Sequence, residues 1–200
     1  MTALPRPDLP TRRRRPRLAD FAYKGEHAYH VVLSTHEGRH TFSDLAFGER
    51  AAKILDEVAR QRSFGLLAYA FMPNHAHLLV QGKDDSADLI RFVQLFKQRT
   101  GFEYRKLTGL QLWRQSFFDR VLRQEESIEI VATYVFGNPV RAGLCANGAD
   151  YVLSGGEWFE MIADGARGED RGSEADGAEA PSVRVPRYLG FSNRHERGAE

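Results

Sequence analysis

Phe64–Met72, FGLLAYAFM, then Pro73-Asn74, then His75–Gln81, HAHLLVQ, is the passage that decides the fold. The first piece is a continuous apolar run of the length and kind found in a central strand. Proline and asparagine make a tight break, and the chain returns at once as a second strand. Working outward, His27–Thr35 (HAYHVVLST) is rich in β-branched and aromatic residues and reads as a strand. Between these strands, Ser43–Arg62 carries Leu45, Ala52, Leu55, Val58 and Ala59 at helical spacing, with Ser43 placed to cap it. After them, Ser86 to about Thr108 carries Leu89, Phe92, Val93 and Phe96 and reads as a second helix. Ser116–Leu122 follows as a strand, and Ser127–Asn138 as a last helix stopped by Pro139. The order β-α-β-β-α-β plus one helix predicts an α+β, ferredoxin-like domain. Its plan is a four-stranded antiparallel sheet with two helices on one face. That plan hosts many functions, so the site must decide.

Composition narrows the classes. The chain has 200 residues, 42% hydrophobic and 28% charged, with 13 Phe, enough for one ordinary core. No run approaches the roughly eighteen apolar residues of a membrane span. The opening MTALPRPDLPTRRRRPR has no apolar stretch of the secretory kind. Cys145, the single cysteine, excludes a disulfide framework and a multi-cysteine zinc site within one chain. A cytoplasmic protein is expected. The net charge of +1 hides a split: residues 1–150 hold 22 Lys and Arg against 17 Asp and Glu, residues 151–200 hold 6 against 10. A basic body with an acidic tail permits a polyanionic partner. Residues 1–20, with Arg12, Arg13, Arg14, Arg15 and Arg17 among prolines, read as a flexible basic arm, and 21–158 as the folded domain. Residues 159–200 read as an acidic, mostly disordered tail.

Two constellations carry chemistry. His75 and His77, two apart on a strand, present both imidazoles to one face of the sheet. Two rings so placed can converge on one ion, with a third ligand from elsewhere and open positions for phosphate oxygens. The plain alternative is a pair of polar-face strand histidines. Tyr134 and Asn138, four apart, are neighbours on one helical face. A helix is a rigid mount for a tyrosine that attacks phosphorus, and an asparagine one turn on can offer its carbonyl oxygen to the same metal. The plain alternatives are a core tyrosine and a helix end. Asp119, Glu125 and Glu126 are rival third ligands. His30, His36 and His40 are expected to be structural or surface residues.

Ala70–Val80, AFMPNHAHLLV, resembles the metal motif of the His-hydrophobe-His (HUH) single-tyrosine transposases. Tyr134–Leu144, YVFGNPVRAGL, resembles the catalytic-tyrosine segment of one branch, the REP-associated tyrosine transposases, and Arg17–Thr35 fits that branch's opening. The resemblance spans about residues 15–155. It implies a metal-dependent enzyme that nicks and rejoins single-stranded or hairpin DNA of the repetitive extragenic palindromic type. By this resemblance His75, His77 and Asn138 would hold Mg²⁺ or Mn²⁺. Tyr134 would attack the scissile phosphate, leaving a 5′-phosphotyrosine and a free 3′-hydroxyl. The protein would act as monomer or homodimer at the bacterial nucleoid. Two departures stand out: Ala76 is smaller than the residue usual between the histidines, and Tyr151–Gly155 replaces a tryptophan-containing segment.

Arg91, Lys97, Arg99, Arg105, Lys106 and Arg114 cluster in and after the second helix, interleaved with Phe102, Tyr104 and Trp113. Lys97, Arg99, Arg105, Lys106 and Arg114, with the arginines of the arm and Arg141, are the candidate DNA contacts, since single strands need backbone cations and flat stacking surfaces. The competing readings are a hairpin-binding module of the same fold that does not cut, and metal-dependent hydrolysis by water. The second would need a carboxylate base beside the histidines, and the HAH segment holds none.

Overall fold

The computed structural model describes residues 21–122 and 127–158. The basic arm, the acidic tail, Glu125 and Glu126 lie outside the described residues. In chain order the elements are β1 (Ala28–Ser34), α1 (Leu45–Gln61), β2 (Phe64–Met72), β3 (His75–Gly82), α2 (Leu89–Thr108), β4 (Phe118–Val121), α3 (Ile128–Phe136), α4 (Asn138–Arg141) and β5 (Ser154–Gly155). Among the described residues the strands form one antiparallel sheet in the order β4-β1-β3-β2-β5. No helix among them is long and apolar enough to cross a membrane.

The four expected strands keep the ferredoxin-like arrangement, and a fifth joins the free edge of β2. Phe71 N–H donates to the Leu153 carbonyl at 2.9 Å, and Tyr151 Oη donates to the Phe71 carbonyl at 2.8 Å. A two-residue strand is too short to show any alternation, which is why the sequence pattern passed over it.

Three helix boundaries also differ from expectation. The cap of α1 is Asp44, not Ser43: its carboxylate accepts from Phe47 N–H at 3.2 Å, while Ser43 closes a 3-10 turn. Asp88 does the same for α2, accepting from Arg91 N–H at 3.0 Å. Ser86 stays outside that helix and bonds to Asp84 and Ser63. Pro139 does not stop the last helix. The break falls at Gly137, and Pro139 lies in the first turn of α4, where a missing N–H leaves no bond unmade.

The sheet is covered on both faces. On one, α1 buries Phe47, Ala51, Leu55 and Val58 and α2 buries Leu89, Phe92, Val93 and Phe96 against Tyr29, Val31, Phe71, Leu78 and Val80. On the other, α3 lays Val131, Ala132 and Val135 on Ala28, Ala68, Ala70 and Leu79. Two buried faces explain why β2 reads as an unbroken apolar run. A register shift between Leu66 and Ala68 turns both Leu67 and Ala68 toward α3. Leu153 is 1% exposed and seats against α1, where a Cβ on Gly48 would come within 2.5 Å of its Cδ1. Leu153→Ala should therefore lower stability in urea unfolding by about 2–5 kcal/mol. Val152→Ala, at a side chain 65% exposed, should change it by less than about 0.5 kcal/mol.

Candidate active site

The site lies on the α3 face, where β3 leaves its turn. Strand alternation sends Ala76, Leu78 and Val80 into the α1/α2 core and leaves His75, His77 and Leu79 for the other side. The turn is held from outside. Thr35 donates to the Asn74 carbonyl through its N–H (3.0 Å) and its hydroxyl (2.9 Å), and Phe42 N–H donates to the Pro73 carbonyl at 3.0 Å.

His75 and His77 meet through their Nε2 atoms, 3.1 Å apart. Two ligands at right angles on an ion with bonds of about 2.1 Å would stand about 3 Å from each other, so the pair has the spacing of adjacent octahedral positions. Each ring is fixed at its far nitrogen: His75 Nδ1–H donates to Asn74 Oδ1 (2.7 Å), and His77 Nδ1 is 3.2 Å from His30 Nε2. Such partners behind the ring are what metal-ligating imidazoles require. All three rings are held neutral. Burial pushes His75 down to about 4. Burial, aided by the Arg120 charge, does the same for His30. His77 falls well below the ordinary range through burial first, then His30, His75 and Arg141. A neutral imidazole is the form that binds a metal.

Tyr134 projects from α3 onto this group. It is 7% exposed, and its ring stands edge-on to His77 (centroids 6.0 Å apart) and His30 (5.9 Å). The Arg141 guanidinium lies 4.4 Å over the same ring and donates through Nη2 to the Tyr134 carbonyl at 2.6 Å. Asn138 donates through Nδ2 to the carbonyls of Tyr134 (3.1 Å) and Val135 (3.3 Å), which leaves its Oδ1 outside these two bonds. Among the described hydrogen bonds, Asn138 engages α3 and not the imidazoles.

The other candidates separate. Asp119 pairs with Val31, a residue of the α1/α2 core, so it belongs to the face opposite His30 and His77 and is no third ligand for them. The α2 cations are on that opposite side too. Lys97 Nζ donates to the carbonyls of Arg114 and Gln115, Arg99 bonds to Gln61 beside Glu57, and Lys106 lies over the Phe102 ring. Of the interleaved aromatics, Phe102 is 62% exposed. Trp113 is buried and donates to Thr100, and Tyr104 packs on Phe47. A groove of about 660 Å³ runs between α2 and residues 111–117, lined by Gln94, Lys97, Gln98, Phe102, Arg105 and Trp113 among others. Arg12 to Arg17 lie outside the described residues. Arg141, expected on DNA, is exposed and at the same time packed on Tyr134.

His30, expected to be a structural or surface residue, is 1% exposed and touches both His77 and Tyr134. Its signal was there: one imidazole in an otherwise apolar strand, opposite the strand of the HAH pair. His36 and His40 are the half-buried and exposed residues expected. Because His30 and His75 titrate near 4 in the folded chain and at the ordinary 6.5 when unfolded, the unfolded chain binds more protons between those values. Stability is then full above pH 6.5 and declines as pH falls toward 4, by up to about 1.4 kcal/mol per pH unit for each imidazole. Urea midpoints from pH 7.5 to 4.5 should show this decline, with a shallower slope in His75→Gln.

No curated protein matches the chain. A REP-associated tyrosine transposase solved with a REP hairpin bound shares its fold, with a TM-score of 0.58 at 19% identity over 82% of this chain and 96% of that one. A structure of a putative transposase from Deinococcus radiodurans gives a TM-score of 0.43 at 19% identity, covering 64% of this chain and 92% of its own. The family model described as transposase IS200-like matches residues 23–138, a span that takes in both histidines of β3, Tyr134 and Asn138, and the chain belongs to that family.

Proposed function

We propose that the protein nicks and rejoins single-stranded or hairpin DNA through a 5′-phosphotyrosine intermediate on Tyr134, in the manner of a REP-associated tyrosine transposase. The observation that carries this reading is the packing of the Tyr134 ring against His77, beside the convergent Nε2 pair. His75 and His77 would hold Mg²⁺ or Mn²⁺, with Asn138 Oδ1 as the further protein ligand. When bound, that ion supplies a Lewis acid for the scissile phosphate.

The chain's own groups do the rest. Tyr134 Oη attacks phosphorus, the P–O3′ bond breaks, the phenolic proton passes to solvent, and the departing 3′ oxygen takes up a proton. A 3′-hydroxyl attacking the phosphotyrosine reverses the step and restores a phosphodiester without ATP. A neutral phenol is a weak nucleophile, so a cation beside it helps. Arg141, 4.4 Å over the ring, is placed to favour the developing phenolate and to meet the incoming phosphate. Since Tyr134 packs on a histidine of its own chain, we read the site as complete within one chain. The fold shared with a transposase solved on a REP hairpin supports a hairpin as partner. Lys97, Arg99, Arg105, Lys106 and Arg114 would serve DNA beyond the site rather than the scissile phosphate.

The test is incubation with labelled single-stranded hairpin DNA from the flanks of the protein's own gene, with Mg²⁺, Mn²⁺ or EDTA. An SDS-resistant protein–DNA adduct should form with wild type and vanish in Tyr134→Phe, in His75→Ala and in EDTA. Arg141→Gln should slow adduct formation about two- to fivefold, the scale of an exposed cation–π contact of about 0.5–1 kcal/mol. Binding without an adduct, unchanged by Tyr134→Phe, would leave a hairpin-binding module and overturn the cleavage reading.

A further inference from the structure

We infer that His30 is a positioning residue that exchanges tautomer with His77, so that His77 can turn a bare Nε2 toward a metal ion. This inference rests on the reading of His75 and His77 as a metal pair.

The three imidazoles form one line of hydrogen bonds from Asn74 through His75 and His77 to His30: 2.7, 3.1 and 3.2 Å. The His30 and His77 rings are 12° from parallel with centroids 5.4 Å apart. That separation is close to that of two imidazoles joined end to end through N–H···N, and wide for a face-to-face stack. Proton counting then fixes the tautomers. Asn74 Oδ1 can only accept, so His75 carries its proton on Nδ1 and its Nε2 is a lone pair. In the free chain the 3.1 Å contact needs a proton between the two Nε2 atoms, and it must come from His77 Nε2–H. His77 Nδ1 is then an acceptor, and the partner able to donate to it is His30 Nε2–H.

Metal binding asks for the opposite arrangement. His77 Nε2 must be bare, its proton must sit on Nδ1, and Nδ1–H needs an acceptor. His30 supplies one by moving its own proton from Nε2 to Nδ1. Each ring keeps one proton, and no net proton is gained or lost. A side chain that is both donor and acceptor can serve both states; an apolar one serves neither. At 1% exposure, water is a poor substitute for it. Tyr134 lies edge-on to both rings, so the same line of bonds also fixes the surface on which the tyrosine rests.

The experiment uses the full chain. Mn²⁺ affinity is measured without DNA, by titration followed by electron paramagnetic resonance of the free ion, for wild type, His30→Leu, His30→Gln and His75→Ala. In parallel, nitrogen-15 spectra of the imidazoles are recorded with and without Mg²⁺. Loss of a partner behind a metal-bound histidine weakens binding about 10- to 100-fold, and His30→Leu should do so. His30→Gln, which can donate or accept, should recover most of the affinity. His30 and His77 should change tautomer together on Mg²⁺ addition. Should His30→Leu fail to fold, the glutamine variant and the wild-type spectra decide. Undiminished affinity in His30→Leu, or tautomers that stay fixed on metal addition, would overturn the role of His30 while leaving the metal pair intact. Wild type that takes up neither ion would overturn the metal reading itself and this inference with it.

Discussion

The register of β1 on β3 is the constraint on which the site depends. Val32 faces His77 and His30 faces Leu79, so His30 and His77 are diagonal neighbours on one surface of the sheet. Side chains alternate with a period of two. A slip of one residue would bury His75 and His77 in the aromatic core and turn Leu78 and Val80 out under α3. The register is locked because both faces are covered. A slip would cost the burial of several large side chains, each worth about 1.5–3 kcal/mol.

The two faces are packed for different ends. Beneath α1 and α2 the sheet presents Tyr29, Phe64, Phe71 and other large groups, which fill a thick core. Beneath α3 it presents Ala28, Ala68 and Ala70, which let that helix settle close. Close approach brings the Tyr134 ring within contact of His77 instead of leaving it at the rim. Gly137 then ends α3 where the Arg141 side chain passes: an added Cβ would come 2.7 Å from its Nη1. The tyrosine is thereby set between imidazoles and guanidinium by backbone geometry rather than by long, flexible reach.

Much of this was legible in the sequence. The β2–β3 hairpin, with its apolar run and Pro73-Asn74 break, is strong local grammar, and β2 has the bounds expected. His75 and His77 share a face because strand alternation demands it. What was hidden depends on contacts between elements. His30 could be seen as an odd polar residue in an apolar strand, but its partner is 47 residues away, and the register linking them is set by tertiary packing. Asp119 stood as a rival third ligand without partner spacing, and its pairing with Val31 places it on the opposite face. Leu153 carried no pattern at all, because two residues of strand have none.

That last segment has a consequence for the limits of the folding unit. The family match ends at residue 138, yet β2 does not finish its hydrogen bonding until Leu153, Ser154 and Gly155 lie along it. Stripped of them, the most apolar strand among the described residues would become an open edge, a row of unpaired N–H and C=O groups inviting another chain to pair there. The stretch by which the family is recognised is thus shorter than the stretch that covers the outer edge of β2. Residues 151–155 act as a selvedge, finishing the fabric so that it does not catch on its neighbour.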